Sequence, residues 1–288
     1  MFRCVLDIKA RLGESPVWSS RDKALYWIDI FAPSLNRFDP ATGRNIVMPM
    51  PESIGSFAMR KPSGFILALR SGIWLARADG TLDRRIIDAP YDPAHHRFND
   101  GRCDRAGHFV VGYMNEKRDA ASAALVRVDA DGRMTTILTD MTISNGLAWS
   151  PDGRTMYHAD TPTRMIRAFD YDTATGTPSS PRVLAQFHGD TDRPDGGAVD
   201  SEGNYWTAFY RGGKIVKIAP SGKTLAEYAV PAMCPTMCAF GGPDLRTLYV
   251  TTARRERGPD ELARLPQSGG IFAMNVDVPG LPEPAFAG

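Results

Sequence analysis

Glu14, Asn99, Asn145 and Asp195 occupy comparable places in four well-separated segments, LGESPVW, RFNDGRCD, SNGLAWS and PDGGAVD. Each stands ten or twelve residues before an aromatic residue: Tyr26, Phe109, Tyr157 and Tyr205. If those segments converge, Glu14, Asn145 and Asp195 supply hard oxygen donors with two formal negative charges. That set suits a divalent cation with positions left for water and substrate. The residues alone leave a second reading open. Strand-start acids also cap backbone donors, and Asn before Gly or Asp also serves left-handed or Asx turns.

The elements that must bring them together are legible as a repeat. ALYWID, GFILAL, HFVVGY, TMYHAD, NYWTAF and TLYVTT return along the chain. With Tyr26, Ile66, Phe109, Tyr157, Tyr205 and Tyr249 as anchors, the spacings are 40, 43, 48, 48 and 44 residues. This is the period of a propeller blade, and the long 3.6-residue patterns of helical repeats are absent. Within a repeat, short runs alternate with tight turns, as in SNGLAWS, TMYHAD, MIRAFDYD and RVLAQF, which predicts four antiparallel strands. The expected fold is therefore all-β, a six-bladed β-propeller spanning 1–288 as one domain. Its sixth repeat lacks a fourth strand, because VPGLPEPAFAG is proline-rich and proline removes ladder donors. RCVLDI near the other end belongs to no hairpin, so the 3–8 segment is expected to complete the last blade and protect its edge.

Composition narrows the partners. Thirty-four basic and 33 acidic side chains give a net charge of +1 with no long single-sign block, so neither nucleic acid nor an acidic membrane is an expected partner. No export signal or membrane span is read, and four cysteines are too few for a disulfide scaffold, which points to a cytoplasmic protein. Cys234 and Cys238 read as buried small hydrophobes rather than a metal pair. Ser15, Ser144 and Ser201 lack the G-x-S-x-G setting of a hydrolase nucleophile. His95 and His96 read as rim residues, and His108, His158 and His188 have no matched catalytic partner. Most aromatics read as core, with Trp74, Tyr113, Phe209 and Tyr210 free to border a pocket.

Taken together, LGESPVW, RFNDGRCD, ISNGLAWSPDGRTMYHAD, PDGGAVDSEGNYWTA and FGGPDLRTLYVTTA resemble the SMP30/gluconolactonase/luciferin-regenerating family over nearly the whole chain. The resemblance implies a six-bladed propeller and sugar-acid lactonase activity. It implies that Glu14, Asn145 and Asp195 are ligands of one divalent cation, whether Ca2+, Zn2+, Mn2+ or Fe2+. Asn99 then contacts metal-bound water or substrate, and Arg97 contacts substrate. GYMNEKR departs from the family's GTM-plus-acid pattern. It leaves Glu116 and Lys117 as alternative substrate-facing residues, with an exposed charged turn as the plain reading.

The expected chemistry is attack of water on a glucono- or xylonolactone-type aldonolactone, with Asp195 as ligand and base. No nucleotide cofactor is expected, and little need for a phosphate group on the substrate, because no glycine-rich phosphate nest stands out. The protein is expected to act as a monomer or weak homo-oligomer. Two other classes fit the same mouth: a metal-binding regulatory or ligand-binding propeller, and a promiscuous arylesterase or organophosphate hydrolase.

Overall fold

The computed structural model describes residues 1–288 and contains six four-stranded antiparallel sheets arranged as a β-propeller. Blades 1 to 5 are each built from four consecutive strands, as the repeat predicted. The innermost strands are Gly13–Ser19, Ile54–Met59, His96–Cys103, Ser144–Trp149, Pro194–Val199 and Pro235–Gly241. They are almost wholly buried, whereas fourth strands such as Arg44–Pro49 and Thr224–Ala229 are mostly exposed. Burial falls from axis to rim because inner strands are covered by neighbouring blades on both faces. The anchors Tyr26, Ile66, Phe109, Tyr157, Tyr205 and Tyr249 all lie in second strands and are buried between sheets. One apolar cluster joins Tyr157 and Ile166 of blade 4 to Tyr205 and Val216 of blade 5. Such inter-blade burial supplies what one isolated sheet could not.

Blade 6 closes the ring. Its order is Arg3–Leu6, Ile271–Asn275, Thr247–Thr252 and Pro235–Gly241, so the N-terminal strand is outermost and pairs antiparallel with Ile271–Asn275. Pairing ends at Leu6, short of the expected residue 8, because Leu6 already faces Ile271, the first residue of the partner strand, and Lys9 beyond it has a left-handed backbone at φ 58°. Phe2 is buried in the cluster containing Trp206, Phe240 and Phe272. A six-residue helix, Pro259–Arg264, interrupts the second and third strands of blade 6. No helix is long and apolar enough to cross a membrane.

The proline-rich C-terminal segment forms no blade strand. It runs past the far ends of the inner strands, where Gly280 bridges Asp200 and Phe286 bridges Arg60. Phe286 is buried among Phe98, Cys103 and Phe109, and Glu283 meets Arg102 at 3.0 Å. The tail thereby covers the end of the channel opposite the starts of the inner strands. Prolines are tolerated there because the segment needs no continuous ladder.

Candidate active site

Each inner strand carries a register break near its beginning: between Glu14 and Val17, Ile54 and Ser56, Phe98 and Gly101, Asn145 and Ala148, Pro194 and Gly197, and Pro235 and Met237. A bulge bends a strand and re-aims its side chains. Six bulges at one level therefore form the floor of a mouth at the channel axis. Four deliver Glu14, Asn99, Asn145 and Asp195; blades 2 and 6 have Gly55 and Thr236 in the corresponding stretch. Gly55 is required by packing, since a Cβ there would overlap the backbone carbonyl of Phe98 in blade 3. Gly146 has φ +66° and its carbonyl accepts the Tyr205 hydroxyl at 2.8 Å, a close approach that a side chain would obstruct.

All seven residues singled out in the sequence, Glu14, Arg97, Asn99, Glu116, Lys117, Asn145 and Asp195, line one cavity of about 730 Å³. That size accommodates a sugar-sized ligand. Only five of the 21 lining residues are hydrophobic, which suits a polar one. Glu14, Asn99, Asn145 and Asp195 are buried at its floor. The Ser15 N–H donates to Glu14 Oε2 at 3.3 Å, and Ser15 itself has φ 46°.

A hydrogen-bond relay crosses three blades. Arg97 Nη1 donates to Asn99 Oδ1 at 2.7 Å, and Asn99 Nδ2 donates to Asn145 Oδ1 at 2.8 Å and to the Ser144 carbonyl at 2.9 Å. Asn145 Nδ2 donates to Thr161 Oγ1 at 2.8 Å, and Thr161 donates to the Pro194 carbonyl at 2.8 Å, next to Asp195. The Asn145 amide is thus fixed at both ends, its Oδ1 accepting from Asn99 of blade 3 and its Nδ2 donating to Thr161 of its own blade. Its Oδ1 keeps acceptor capacity toward the cavity.

Electrostatics distinguish the two acids from ordinary capping residues. Burial, followed by the negative charge of Asp100, pushes the Glu14 carboxyl above its usual range. Burial, then Glu14 and Asp100, does the same to Asp195. Arg97 offsets part of this, but its guanidinium is engaged with Asn99, the Phe98 carbonyl and Glu116 at 3.6 Å. Two buried acids whose charged forms are disfavoured by burial and by neighbouring carboxylates are costly without a counter-charge. Their oxygens and Asn145 Oδ1 form a hard, cavity-facing donor set, so the residues present fit a divalent cation. No group of three His, Cys, Asp or Glu residues that could hold one is present anywhere in the structure, so the set here reaches three protein donors only through the Asn145 amide.

The segment that departs from the family pattern resolves into two situations. Glu116 accepts two hydrogen bonds from Arg70, at 2.8 and 3.0 Å. Its burial would raise its pKa, but these bonds and the charges of Arg70 and Arg97 hold it below the usual range. Lys117 is exposed at the rim, with its N–H donated to Asn115 Oδ1 at 2.9 Å. Both residues line the cavity, one tethered and the other free.

Other sequence readings sort cleanly. Tyr210 borders the cavity, while Phe209 is core, Tyr113 packs on Tyr91, and Trp74 lies under Arg85. His95 and His96 lie outside the lining, and His108 pairs with Asp104 at 2.7 Å. Cys234 and Cys238 are buried, the latter's Sγ near the Trp206 carbonyl at 3.7 Å.

Sequence reasoning missed Thr161, Phe31, Asp100 and several rim arginines. Thr161 lies sixteen residues beyond Asn145 in a short 3-10 turn and had no repeat signal. Phe31 lies under the guanidinium groups of Arg97 and Arg255, at 5.7 and 3.8 Å. The arginines did carry a signal: Arg70, Arg118, Arg164, Arg211 and Arg255 follow their anchors by four to nine residues.

The sequence matches the SMP-30/Gluconolactonase/LRE-like region family over residues 12–254. It is 46% identical to the 6-deoxy-6-sulfogluconolactonase of Pseudomonas putida over 99% of this chain and 98% of that protein. It is 36% identical to regucalcin of Xenopus laevis, again over 99% and 98% of the two chains. The crystal structure of the calcium-binding protein regucalcin from Agrobacterium tumefaciens superposes with a TM-score of 0.94 at 29% identity, covering 99% of this chain and 97% of that one. With its matched region, blade order and near full-length relatives, the chain belongs to the SMP-30/gluconolactonase/LRE-like family.

Proposed function

We propose that the protein hydrolyses a sugar aldonolactone of the glucono- or xylonolactone type to its aldonic acid, with one divalent cation held by Glu14, Asn145 and Asp195. The observation carrying this reading is the convergence of an acid, an amide and an acid from three blades on the floor of a polar cavity, beside a buried arginine with donors to spare. Relatives named as a sugar lactonase and as calcium-binding regucalcin support both the substrate class and the hard cation. When bound, the cation supplies Lewis-acid polarisation of the lactone carbonyl and lowers the pKa of water.

The chain's own groups account for binding and proton movement. Arg97 spends Nη1 on Asn99 and the Phe98 carbonyl and holds Nε 3.6 Å from Glu116, so Nη2 is the donor left for a substrate hydroxyl or for the carboxylate that develops. Asn99 has spent its amide hydrogens on Ser144 and Asn145, leaving Oδ1 to accept from Arg97 and from one substrate hydroxyl. Water oxygen bonds to the lactone carbonyl carbon while its proton passes to a carboxylate oxygen of Asp195. The ring C–O bond then breaks, and that proton is returned to the departing ring oxygen. One acid and one alcohol result.

The test is proton release on a panel of five- and six-carbon aldonolactones, corrected for spontaneous opening, with the cation exchanged among Ca2+, Zn2+, Mn2+ and Fe2+. Turnover of aldonolactones supports the proposal. Turnover confined to aryl esters or phosphotriesters, or cation binding without any turnover, overturns it.

A further inference from the structure

The whole chain is nearly neutral, yet the cavity lining holds seven basic residues against four acidic ones. The acids do not offset the excess evenly. Glu14 and Asp195 lie on the floor, Glu116 is taken by Arg70, and Glu256 is taken by Arg255 at 2.8 Å. What remains is a cationic arc on blades 3, 4 and 5.

That arc has a structural origin. Arg118, Arg164 and Arg211 occupy the turn between second and third strands of three successive blades, and all three have left-handed backbone, φ 59°, 55° and 68°. One repeated turn therefore presents an arginine three times around the same rim. Arg164 donates to the His188 carbonyl at 3.3 Å and meets one carboxylate, the fully exposed Asp190, at 3.5 Å, while Arg118 and Arg211 have no carboxylate partner. Arg193 adds a fourth cation. Its carbonyl accepts the Tyr210 N–H at 2.9 Å, which sets Arg193 and Arg211 on either side of Tyr210 on the blade that carries Asp195.

A neutral aldonolactone offers such an arc hydroxyls but no counter-charge, because the one charge formed in its hydrolysis develops at the carbonyl over the floor. We infer that the substrate is a lactone bearing a tetrahedral oxyanion, a sulfonate or phosphate, at the end remote from the carbonyl, received by Arg193 and Arg211 with Arg164 and Arg118 on the two preceding blades of the same arc. Three equivalent oxygens can be met from several turns at once, whereas a planar carboxylate is matched by a single guanidinium fork. Recognition uses side chains, so no glycine-rich nest is needed. This inference rests on the lactonase reading and adds the charge class of its substrate.

The test compares kcat/KM for glucono-δ-lactone with its C6-sulfonate, C6-phosphate and C6-carboxylate counterparts, using the cation-loaded full chain. The expected result is at least a roughly tenfold preference for the sulfonate or the phosphate over the neutral lactone, shrinking as salt is raised. The two arms identify which oxyanion is recognised. In Arg211→Gln and Arg193→Gln the charged-to-neutral ratio should fall by about tenfold each, chiefly through KM, with Arg211→Lys intermediate. Hydrolysis of the neutral lactone with no preference for a charged one, or a preference unaffected by either variant, overturns this inference and leaves the lactonase reading standing. Failure to hydrolyse any lactone overturns both.

Discussion

Asn99 Nδ2 donates to Asn145 Oδ1 at 2.8 Å across the seam between blades 3 and 4. The amide of a proposed cation ligand is thus oriented by a residue of another repeat. Asn145 is held on its other side by Thr161, so neither its position nor its flip state depends on its own strand alone.

The first consequence concerns Thr161. Thr161→Val preserves shape but breaks the link from Asn145 to the Pro194 carbonyl, and cation affinity should weaken by about 10–100-fold. Thr161→Ser should restore most of it. Calcium titration of both variants by calorimetry, alongside thermal unfolding without cation, separates orientation of the ligand from general stability. Equal affinity in Thr161→Val and wild type would remove the relay from the account.

Asp195 is expected to serve as both ligand and base. Asp195→Asn keeps size while removing charge and proton capacity, so turnover should drop by about 10²–10⁴-fold even when the cation is saturating. Asn145→Ala should impair cation binding while leaving that base in place. Cation occupancy and turnover must be measured on the same samples. A saturated Asp195→Asn protein with nearly normal lactone hydrolysis would reject Asp195 as the base.

Gly55 marks the closest approach of blades 2 and 3. Gly55→Ala would drive a Cβ into the Phe98 carbonyl, and relief requires moving an inner strand rather than a flexible side chain. The expected cost is about 1–3 kcal/mol, read as a lower urea midpoint. Because Phe98 adjoins Asn99, turnover should suffer as well. An unaltered midpoint would show that the seam has slack.

Closure of blade 6 makes a distinct prediction. Deleting the first ten residues removes Arg3–Leu6 from Ile271–Asn275 and exposes the Phe2 cluster. We expect one cooperative transition lowered by more than about 3 kcal/mol, with proteolysis spreading beyond blade 6. Digestion confined to that blade would argue that it unfolds separately.

His158 sets a pH dependence of stability. It is buried, shares a 2.9 Å hydrogen bond with Ser144 Oγ, and burial together with the charge of Arg167 pushes its pKa down to about 3. Unfolding restores an ordinary histidine, so the unfolded chain binds more protons between about pH 6.5 and 3. Stability from this group is complete above pH 6.5 and is lost as pH falls toward 3, at about 1.4 kcal/mol per pH unit. His158→Gln should flatten that component. Urea midpoints at pH 7.5, 6 and 5 compare the two proteins, and parallel profiles would assign the acid sensitivity elsewhere.

The blade count, the second-strand anchors and the completion of blade 6 were determined by the sequence itself, because a repeated local pattern and a mismatch of strands at two ends are properties of the chain. The four residues at the inner-strand starts were legible for the same reason: their register recurs. Tertiary structure alone decided the rest. Thr161 links Asn145 of its own blade to the Pro194 carbonyl only after blades 4 and 5 pack, Phe31 meets Arg97 and Arg255 only across the mouth, and the C-terminal tail finds Arg102 only at the far end of the channel. Whether Glu116 is tethered or free depended on Arg70, forty-six residues away. Local pattern specifies which strand a residue occupies; pairing across blades, which no period encodes, decides what its side chain touches and how strongly its charge is opposed.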